Sequence, residues 1–224
     1  MNIALILAGG TGTRLGGSLP KQYIEVKGKP VISYSLAAFE RHREIDDIWI
    51  VAAEPWRSLI REWTGEKFRG FSRPGENRQL SIYNGLTDIS AYANEGDIVV
   101  VHDGARPLVK EKLISACLTA CASHEGVVPV LPMKDTVYLG EGGRITALLE
   151  REKIYAGQAP EAFVLGRYLD ANKRLLPDRI RKINGSTEPA MLAGMDVALV
   201  PGDENNFKIT TMEDLQRFRR VMDE

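Results

Sequence analysis

A glycine-rich segment follows the first apolar run of the chain and carries two basic side chains. It contains Gly9, Gly10 and Gly12, and then Arg14 and Lys21. Glycines let the backbone approach a ligand closely, and successive backbone N–H groups can then bind an anion. Because two cations accompany this backbone, the segment predicts a site for a polyanion such as a nucleoside triphosphate. A glycine turn selected only for its shape is the alternative.

Two common dinucleotide- and phosphate-binding motifs do not match this segment. The P-loop requires G-x-x-x-x-G-K-[ST], whereas Lys21 follows Pro20 and precedes Gln22. The fingerprint G-x-G-x-x-G requires a third glycine at the position of Leu15. The sequence therefore excludes a P-loop nucleotidase and disfavours a nicotinamide-dependent dehydrogenase.

The elements that must position these residues alternate between short apolar runs and helical patterns. We predict strands at residues 3–7, 48–52, 98–102, 127–131 and 197–200, and helices at residues 31–40, 80–91, 112–122 and 212–222. Repeated alternation of this kind predicts an α/β fold, Rossmann-like, with a mainly parallel sheet covered on both faces. Ligands in such folds bind at the carboxyl ends of strands, so the loops after Leu7 and Val101 are the first candidates for a site.

One stretch breaks the alternation and predicts a β-hairpin arm at residues 133–151. Val137 and Leu139 alternate with polar residues, a glycine turn follows, and Ile145 and Ala147 alternate again. An isolated hairpin is marginally stable in water. We therefore expect the arm of one subunit to pack on a second subunit, and packing on its own domain is the alternative.

Composition limits the classes of partner. The 224 residues include 29 Lys plus Arg and 30 Asp plus Glu, a formal net charge of −1, which argues against broad electrostatic binding to nucleic acid or to an anionic membrane. We expect no membrane-spanning segment, because no apolar run reaches the necessary length, and no signal peptide, because the first apolar run leads directly into the glycine-rich segment. Cys117 and Cys121 lie in one predicted helix and are expected to be buried, reduced thiols, which favours a cytoplasmic protein.

Longer motifs resemble a known family. The pattern L-A-G-G-x-G-x-R-x-G…P-K-Q, from Leu7 to Gln22, resembles the nucleotidyltransferases that activate sugars and polyols. The Pro-Lys-Gln form and the string V-H-D-G-A-R-P, residues 101–107, are similar to the cytidylyltransferases that act on 2-C-methyl-D-erythritol 4-phosphate and on ribitol 5-phosphate. The resemblance extends from Ile3 to Leu215. It implies the nucleotidyltransferase fold over a single domain, residues 1–224, a homodimer formed through the arm, and transfer from CTP, with Mg²⁺, to a polyol phosphate.

The resemblance also implies roles for individual residues. The catalytic residues would be Arg14, Lys21, Arg151 and Lys208. The CTP-binding residues would be Ala8, Gly9, Gly10, Gly12, Gly75, Glu76, Ser81 and Gly104. The acceptor would contact Asp103, Arg106, Asp135 and Thr136, and Asp103 would also assist the metal, directly or through water. The structural alternatives are helix capping by Arg78 and Ser81, an Asp103–Arg106 pair, and a solvated Lys208.

Some positions depart from the family pattern and bear on the acceptor. Ala159 and Glu161 stand where relatives have Thr and Gln, and Glu188-Pro189 stands where relatives of the erythritol type have two carboxylates. We expect 2-C-methyl-D-erythritol 4-phosphate as the acceptor, because His102–Pro107 fits those relatives well. Ribitol 5-phosphate is the runner-up, and a non-catalytic nucleotide-binding sensor is the alternative of another class.

Overall fold

The computed structural model describes residues 1–10 and 19–223, so the predicted site residues Gly12 and Arg14 lie outside the described residues. The strands are β1 (Asn2–Leu7), β2 (Glu25–Val26), β3 (Lys29–Pro30), β4 (Asp47–Val51), β5 (Phe68–Ser72), β6 (Ile98–Asp103), β7 (Gly126–Pro132), β8 (Tyr138–Glu141), β9 (Arg144–Leu148), β10 (Tyr155–Gly157), β11 (Glu161–Val164) and β12 (Val197–Pro201). The helices are α1 (Val31–Arg41), α2 (Glu54–Arg61), α3 (Arg78–Ser90), α4 (Glu111–Cys121), α5 (Leu165–Lys173), α6 (Glu188–Leu192) and α7 (Met212–Asp223).

The main sheet of the described residues is mixed and mostly parallel. Its strand order is β10-β7-β11-β6-β1-β4-β5, and β12 pairs with β7. The central strand β1 is parallel to both β4 and β6, whereas β11 is antiparallel to β6 and β7. The α/β prediction is confirmed, and the antiparallel β11 is one of the elements that the alternation of strands and helices did not predict.

Both faces of the sheet are covered, which explains the near-continuous apolar strands. Along β1, Ala4 and Ile6 point into one cluster of buried side chains, and Ile3 and Leu5 point into the other. This alternation follows from the two-residue period of a strand. The loops after β1 and β6 are thereby brought side by side, since Leu7 is in register with Asp103.

Helix α3 begins earlier than its apolar pattern predicted. Asn77 is the N-cap, and its side-chain oxygen accepts a hydrogen bond from the backbone N–H of Leu80 at 2.8 Å. Arg78 is therefore the first residue of the helix rather than part of a loop.

The strand β5 was not predicted because its apolar residues do not alternate and because Gly70 lies in it, against the ring of Trp49.

The predicted hairpin is present as β8 and β9, an antiparallel pair separate from the main sheet. Its turn contains Gly142 and Gly143, which have φ values of +56° and +77° that favour glycine. Four apolar side chains of the arm are between 52% and 68% exposed: Tyr138, Leu139, Ile145 and Leu148. The arm therefore exposes an apolar surface of the kind that is typical of contact sites.

None of the helices within residues 1–10 and 19–223 combines the length and the apolar character needed to cross a membrane.

The contact between α3 and β1 yields a test of the packing. A Cβ atom on Gly85 would lie 2.5 Å from Cδ1 of Leu5, a fully buried side chain. We expect Gly85→Ala to lower the free energy of unfolding by about 1–3 kcal/mol through overpacking, despite the better helix propensity of alanine. The control is Gly96→Ala, where no atom lies within 4 Å of the new Cβ. Urea unfolding measures both variants, and equal stability of Gly85→Ala and the parent would contradict this packing.

Candidate active site

A cavity of about 380 Å³ opens where β1 and β6 end. Its described lining combines backbone from two glycine-containing loops with cationic and acidic side chains: Leu7, Gly9, Gly10, Lys21, Gln22, Gly75, Glu76, Asn77, Arg78, Ser81, Asp103, Ala105, Lys208 and Thr210. The cavity therefore lies at the carboxyl ends of neighbouring parallel strands, which is where the sequence predicted a ligand site.

The start of the glycine-rich segment is anchored by the residues that follow Lys21. The side-chain amide of Gln22 donates to the carbonyl oxygens of Ala8 at 2.8 Å and Gly10 at 2.6 Å. The hydroxyl of Tyr23 donates to the same oxygen of Ala8 at 2.8 Å. These bonds hold the backbone of residues 8–10 in one conformation, and Gln22 is a site-shaping residue for which no role was predicted.

Pro74 explains why glycine is needed at position 9. A Cβ atom on Gly9 would lie 2.7 Å from Cβ of Pro74, so the two loops could not approach as closely with any other residue there. A Cβ atom on Gly10, in contrast, would have no atom within 4 Å. The close contact at Gly9 brings the first loop against residues 74–77, and together they form one wall of the cavity.

Asp103 is the last residue of β6, and three cationic groups surround its carboxylate. Nε of Arg78 lies 3.2 Å from Oδ1, Nζ of Lys208 lies 3.0 Å from Oδ2, and Nε of Arg106 lies 3.5 Å from Oδ2. Burial alone would raise the pKa of Asp103, but Arg78, Lys208 and Arg106 together hold it well below its usual range. Asp103 is therefore an anion at neutral pH, and its position determines where the three cations lie.

Arg78 belongs to this charge cluster, whereas the sequence analysis considered it only as a helix-capping residue. It lines the cavity from the first turn of α3. Burial would lower the pKa of Arg78, but Asp103 and Glu161 outweigh that effect and raise it. The sequence feature that could have indicated this position is that Arg78 directly follows Asn77, the N-cap of α3, and therefore lies in the first turn of that helix.

Lys208 reaches Asp103 from the segment before α7. The backbone N–H of Ile209, which is fully buried, donates to the carbonyl oxygen of Ala105 at 2.9 Å. Thr211 accepts from the N–H of Asp214 at 3.2 Å, and the Asp214 carboxylate accepts from the N–H of Thr211 at 2.9 Å. This reciprocal capping starts α7, and it fixes the segment that carries Lys208.

Arg106 is oriented into the protein. Its side chain is 12% exposed, and Nη1 donates to the carbonyl oxygen of Asn206 at 2.7 Å. Neither Arg106 nor Gly104 is among the described residues that line the cavity. The backbone N–H of Gly104 donates to the carbonyl oxygen of Leu7, which joins the ends of the two strands. In this structure both residues therefore support the site from behind its wall.

His102 lies beneath the cavity as a neutral core residue. It is fully buried against Phe39, and its Nε2 lies 3.2 Å from the carbonyl oxygen of Arg106. Burial lowers the pKa of His102 to about 3, so the imidazole is uncharged at neutral pH.

The loop of Gly75, Glu76 and Ser81 is shaped by its own hydrogen bonds. The Ser81 hydroxyl accepts from the N–H of Gly75 at 3.0 Å and donates to the carbonyl oxygen of Asn77 at 2.9 Å. Glu76 pairs with Arg181 at 3.2 Å. All three residues line the cavity, and the Ser81 hydroxyl holds the loop around it.

The site residues predicted on the arm lie outside the first cavity. Thr136 and Arg151 line a second cavity of about 370 Å³, and Asp135 is exposed. Arg151 donates from Nη1 to the carbonyl oxygen of Lys134 at 3.0 Å. Asp135, Thr136 and Arg151 are not among the described residues of the first cavity, so a single chain does not bring the two predicted groups together.

The donor set at Asp103 does not suit direct metal ligation. Both carboxylate oxygens already contact cationic groups, and an added cation would meet three positive side chains. Within residues 1–10 and 19–223, no group of three or more His, Cys, Asp and Glu side chains could hold a metal ion.

Comparisons with known proteins agree with these features. A family model described as 2-C-methyl-D-erythritol 4-phosphate cytidylyltransferase (IspD) matches residues 2–224. A protein of that name from Rubrobacter xylanophilus is 38% identical over 95% of this chain and 91% of its own length. A ribitol-5-phosphate cytidylyltransferase from Vibrio parahaemolyticus is 34% identical over 100% of this chain and 96% of its own length.

Solved structures are similar over the same range. The 4-diphosphocytidyl-2C-methyl-D-erythritol synthase of Anaerococcus prevotii has a TM-score of 0.86 at 26% identity, covering 100% of this chain and 96% of that one. The 2-C-methyl-D-erythritol 4-phosphate cytidylyltransferase of Thermus thermophilus has a TM-score of 0.77 at 27% identity, covering 100% of both chains.

The charge cluster predicts a pH-dependent contribution to stability. Asp103→Asn leaves three cations without their counterion, and we expect a loss of about 2–4 kcal/mol in the free energy of unfolding at neutral pH. Because the pKa of Asp103 is lower in the folded protein than in the unfolded chain, this contribution is complete above about pH 4 and is lost as the pH falls through the folded value.

Urea unfolding of parent and variant at neutral and acidic pH measures this difference. Asp170→Asn, an exposed carboxylate on α5, serves as the control and is expected to change stability by less than about 0.5 kcal/mol. A loss for Asp103→Asn that stays constant down to acidic pH would contradict the assignment.

Proposed function

We propose a reaction for this chain on the basis of its family and of its candidate active site. The chain belongs to the 2-C-methyl-D-erythritol 4-phosphate cytidylyltransferase (IspD) family. As a nucleotidyltransferase, it joins CTP and a polyol phosphate to give a CDP-polyol and pyrophosphate. The observation that carries the proposal is the cavity at the ends of β1 and β6, which combines glycine backbone, Lys21 and the Asp103 cluster.

The nucleotide occupies this cavity in our proposal. The triphosphate binds the backbone of Ala8, Gly9 and Gly10 together with Lys21, and the family resemblance adds Gly12 and Arg14 to the proposed triphosphate-binding residues. The cytosine lies against the loop of Gly75, Glu76 and Ser81, where backbone groups offer donors and acceptors. The support is that both loops line one cavity large enough for a nucleotide and that Gln22 and Ser81 hold their backbones in place.

The chemistry needs positioning and positive charge rather than a general base. The acceptor phosphate oxygen is already ionised at neutral pH and attacks the α-phosphorus of CTP in line with the departing pyrophosphate. The oxygen–phosphorus bond to the acceptor forms as the bond to the pyrophosphate breaks. Two anions must meet and charge grows on the leaving group, so fixed cations such as Lys21 and Lys208 stabilise the transition state.

Mg²⁺ is proposed to accompany CTP as its chelate, which neutralises part of the triphosphate charge. Since Asp103 is already paired with cations, its role in our proposal is to fix Lys208 and Arg78, and any contact with the metal would be through water.

The cysteines Cys117 and Cys121 are free and buried, which supports a reducing compartment such as the cytoplasm.

We propose that two chains form the complete enzyme through the arm of residues 133–151. Thr136 and Arg151 of one chain would then bind the acceptor phosphate at the cavity of the other, and Asp135 would contact the acceptor there. The support is the exposed apolar surface of the arm and the separation of these residues from Asp103 within one chain. Residues 1–224 would act as one domain in this dimer.

The proposed acceptor is 2-C-methyl-D-erythritol 4-phosphate, which would assign the chain to isoprenoid precursor synthesis. Ribitol 5-phosphate is a second candidate, because a relative of that name covers the whole chain at 34% identity. Release of pyrophosphate, measured with CTP, Mg²⁺ and each acceptor, decides between them. We expect kcat/KM for the methylerythritol phosphate to exceed that for ribitol phosphate at least roughly tenfold. Binding of CTP without release of pyrophosphate in the presence of either acceptor would instead indicate a nucleotide sensor.

Mixed dimers test whether the site is shared between chains. Lys21→Ala, Lys208→Ala and Arg151→Ala should each lower kcat by about 10²–10³, as for other fixed donors in a transition state. If Arg151 acts on the other chain, a dimer of one Lys208→Ala chain and one Arg151→Ala chain contains one intact site. Co-expressed variants should then recover about a quarter of the parent activity, given random pairing in a two-fold dimer.

Lys173→Ala, an exposed lysine at the end of α5, is the control and should retain the parent kcat. Failure of the mixed sample to exceed either single variant would exclude sharing of the site, provided that the sample contains dimers of the two variants.

A further inference from the structure

Asn206 has a fully buried side chain but no part in the reaction described above. It lies two residues before Lys208, in the segment between β12 and α7. Its Nδ2 donates to the carbonyl oxygen of Ala159, which lies in the link between β10 and β11, at 2.6 Å. Asn206 is not among the described residues that line the cavity, so it can act on the reaction only through other residues.

The segment that carries Asn206 is held by individual contacts. Residues 206–210 form neither helix nor strand, so regular backbone hydrogen bonds do not fix their position. The position of Lys208 therefore depends on the contacts on either side of it. On the carboxyl side, the backbone N–H of Ile209 is hydrogen-bonded to the loop after β6. On the amino side, the bond from Asn206 to Ala159 has the corresponding role.

The link between β10 and β11 is a rigid anchor for this bond. Ala159 is 1% exposed, and the backbone N–H of the preceding Gln158 donates to the carbonyl oxygen of Pro129 on β7 at 2.7 Å. The side chain of Gln158 also accepts from the N–H of Asp203 and donates to its carbonyl oxygen, both at 3.0 Å. Residues 203–206 are thus attached to the link at two points.

Two cations of the Asp103 cluster depend on the position of Asn206. The carbonyl oxygen of Asn206 accepts from Nη1 of Arg106 at 2.7 Å. Lys208 extends from the backbone two residues further on. Both cations contact the same atom, Oδ2 of Asp103, with Nζ of Lys208 at 3.0 Å and Nε of Arg106 at 3.5 Å. A shift of the backbone at Asn206 would therefore move both of them.

We propose that Asn206 is a positioning residue of the transfer reaction. Its side-chain bond to Ala159 fixes the backbone from which Lys208 extends and the carbonyl group that holds Arg106, so that both cations meet at Asp103. This inference rests on the proposed cytidylyl transfer.

Two substitutions remove the bond to Ala159. Asn206→Thr has a similar volume and no amide, and Asn206→Ala removes the side chain. Each should lower kcat about tenfold, because a small displacement of a fixed cation weakens its contact with the transition state. The KM for CTP should change less than about threefold, because contacts made mainly in the transition state affect kcat rather than binding. Pyrophosphate release, measured below the thermal midpoint of each variant, gives both constants.

Asn2→Thr is the matched control. Nδ2 of Asn2 also ties two distant segments together by donating to a backbone carbonyl oxygen, that of Glu44, at 2.8 Å. Asn2 begins β1, so it lies at the opposite end of the sheet from the cavity. The same substitution there should leave kcat within about twofold of the parent, as expected for a change remote from the site.

A double-mutant cycle distinguishes positioning from a general loss of structure. If Asn206 acts through Lys208, Asn206→Thr should lower kcat less than about threefold when Lys208→Ala is already present, because residues that act as a unit are not additive. In a chain that carries Lys21→Ala, the effect of about tenfold should remain, because Lys21 belongs to a different segment of the cavity wall.

The outcomes distinguish the two proposals. A parent enzyme that releases no pyrophosphate with either acceptor contradicts the proposed function. With an active parent, two results would each contradict the role of Asn206. One is a kcat within about twofold of the parent for both Asn206 variants, and the other is an equal effect of Asn206→Thr in the Lys208→Ala and Lys21→Ala chains.

Discussion

The site depends on one electrostatic constraint: a single buried carboxylate, Asp103, lies in contact with three cationic side chains. Arg78 reaches it from the start of α3, Arg106 from the loop after β6, and Lys208 from the segment before α7. Without Asp103 these cations would repel one another, and each belongs to a different part of the chain. Three local features position these side chains around Asp103. They are the register of β1 with β6, the N-cap at Asn77 and the capping of α7 by Thr211.

This arrangement suits a reaction between anions. A net positive wall attracts phosphate groups, but mobile cations would have to reorganise during the reaction. Cations that are fixed beforehand by a carboxylate and by buried anchors, such as Ile209, avoid that cost. Family membership and the geometry of the cavity thus support the same chemistry on independent grounds. In our proposal the acceptor-binding part of the site is formed by two chains, because Thr136 and Arg151 of one chain line a separate cavity.

The sequence predicted the parts of the fold and the site that local patterns determine. Strand β1, the glycine-rich segment and the string ending β6 are each continuous in the sequence, and their adjacency follows from parallel pairing. The antiparallel strand β11 could not be predicted, because its four residues carry no alternation and their pairing is decided by distant strands. For the same reason the contact of Arg78 with Asp103 could not be predicted, since it arises only when the start of α3 lies beside the end of β6.

The most direct measurement is a crystal structure of the protein soaked with CTP and magnesium. The account predicts cytosine beside Gly75 and Ser81, phosphates at the backbone of Gly9 and Gly10 and near Lys21, and the α-phosphate facing Lys208. A nucleotide bound elsewhere on the molecule, or a cavity that remains empty at saturating CTP, would contradict it.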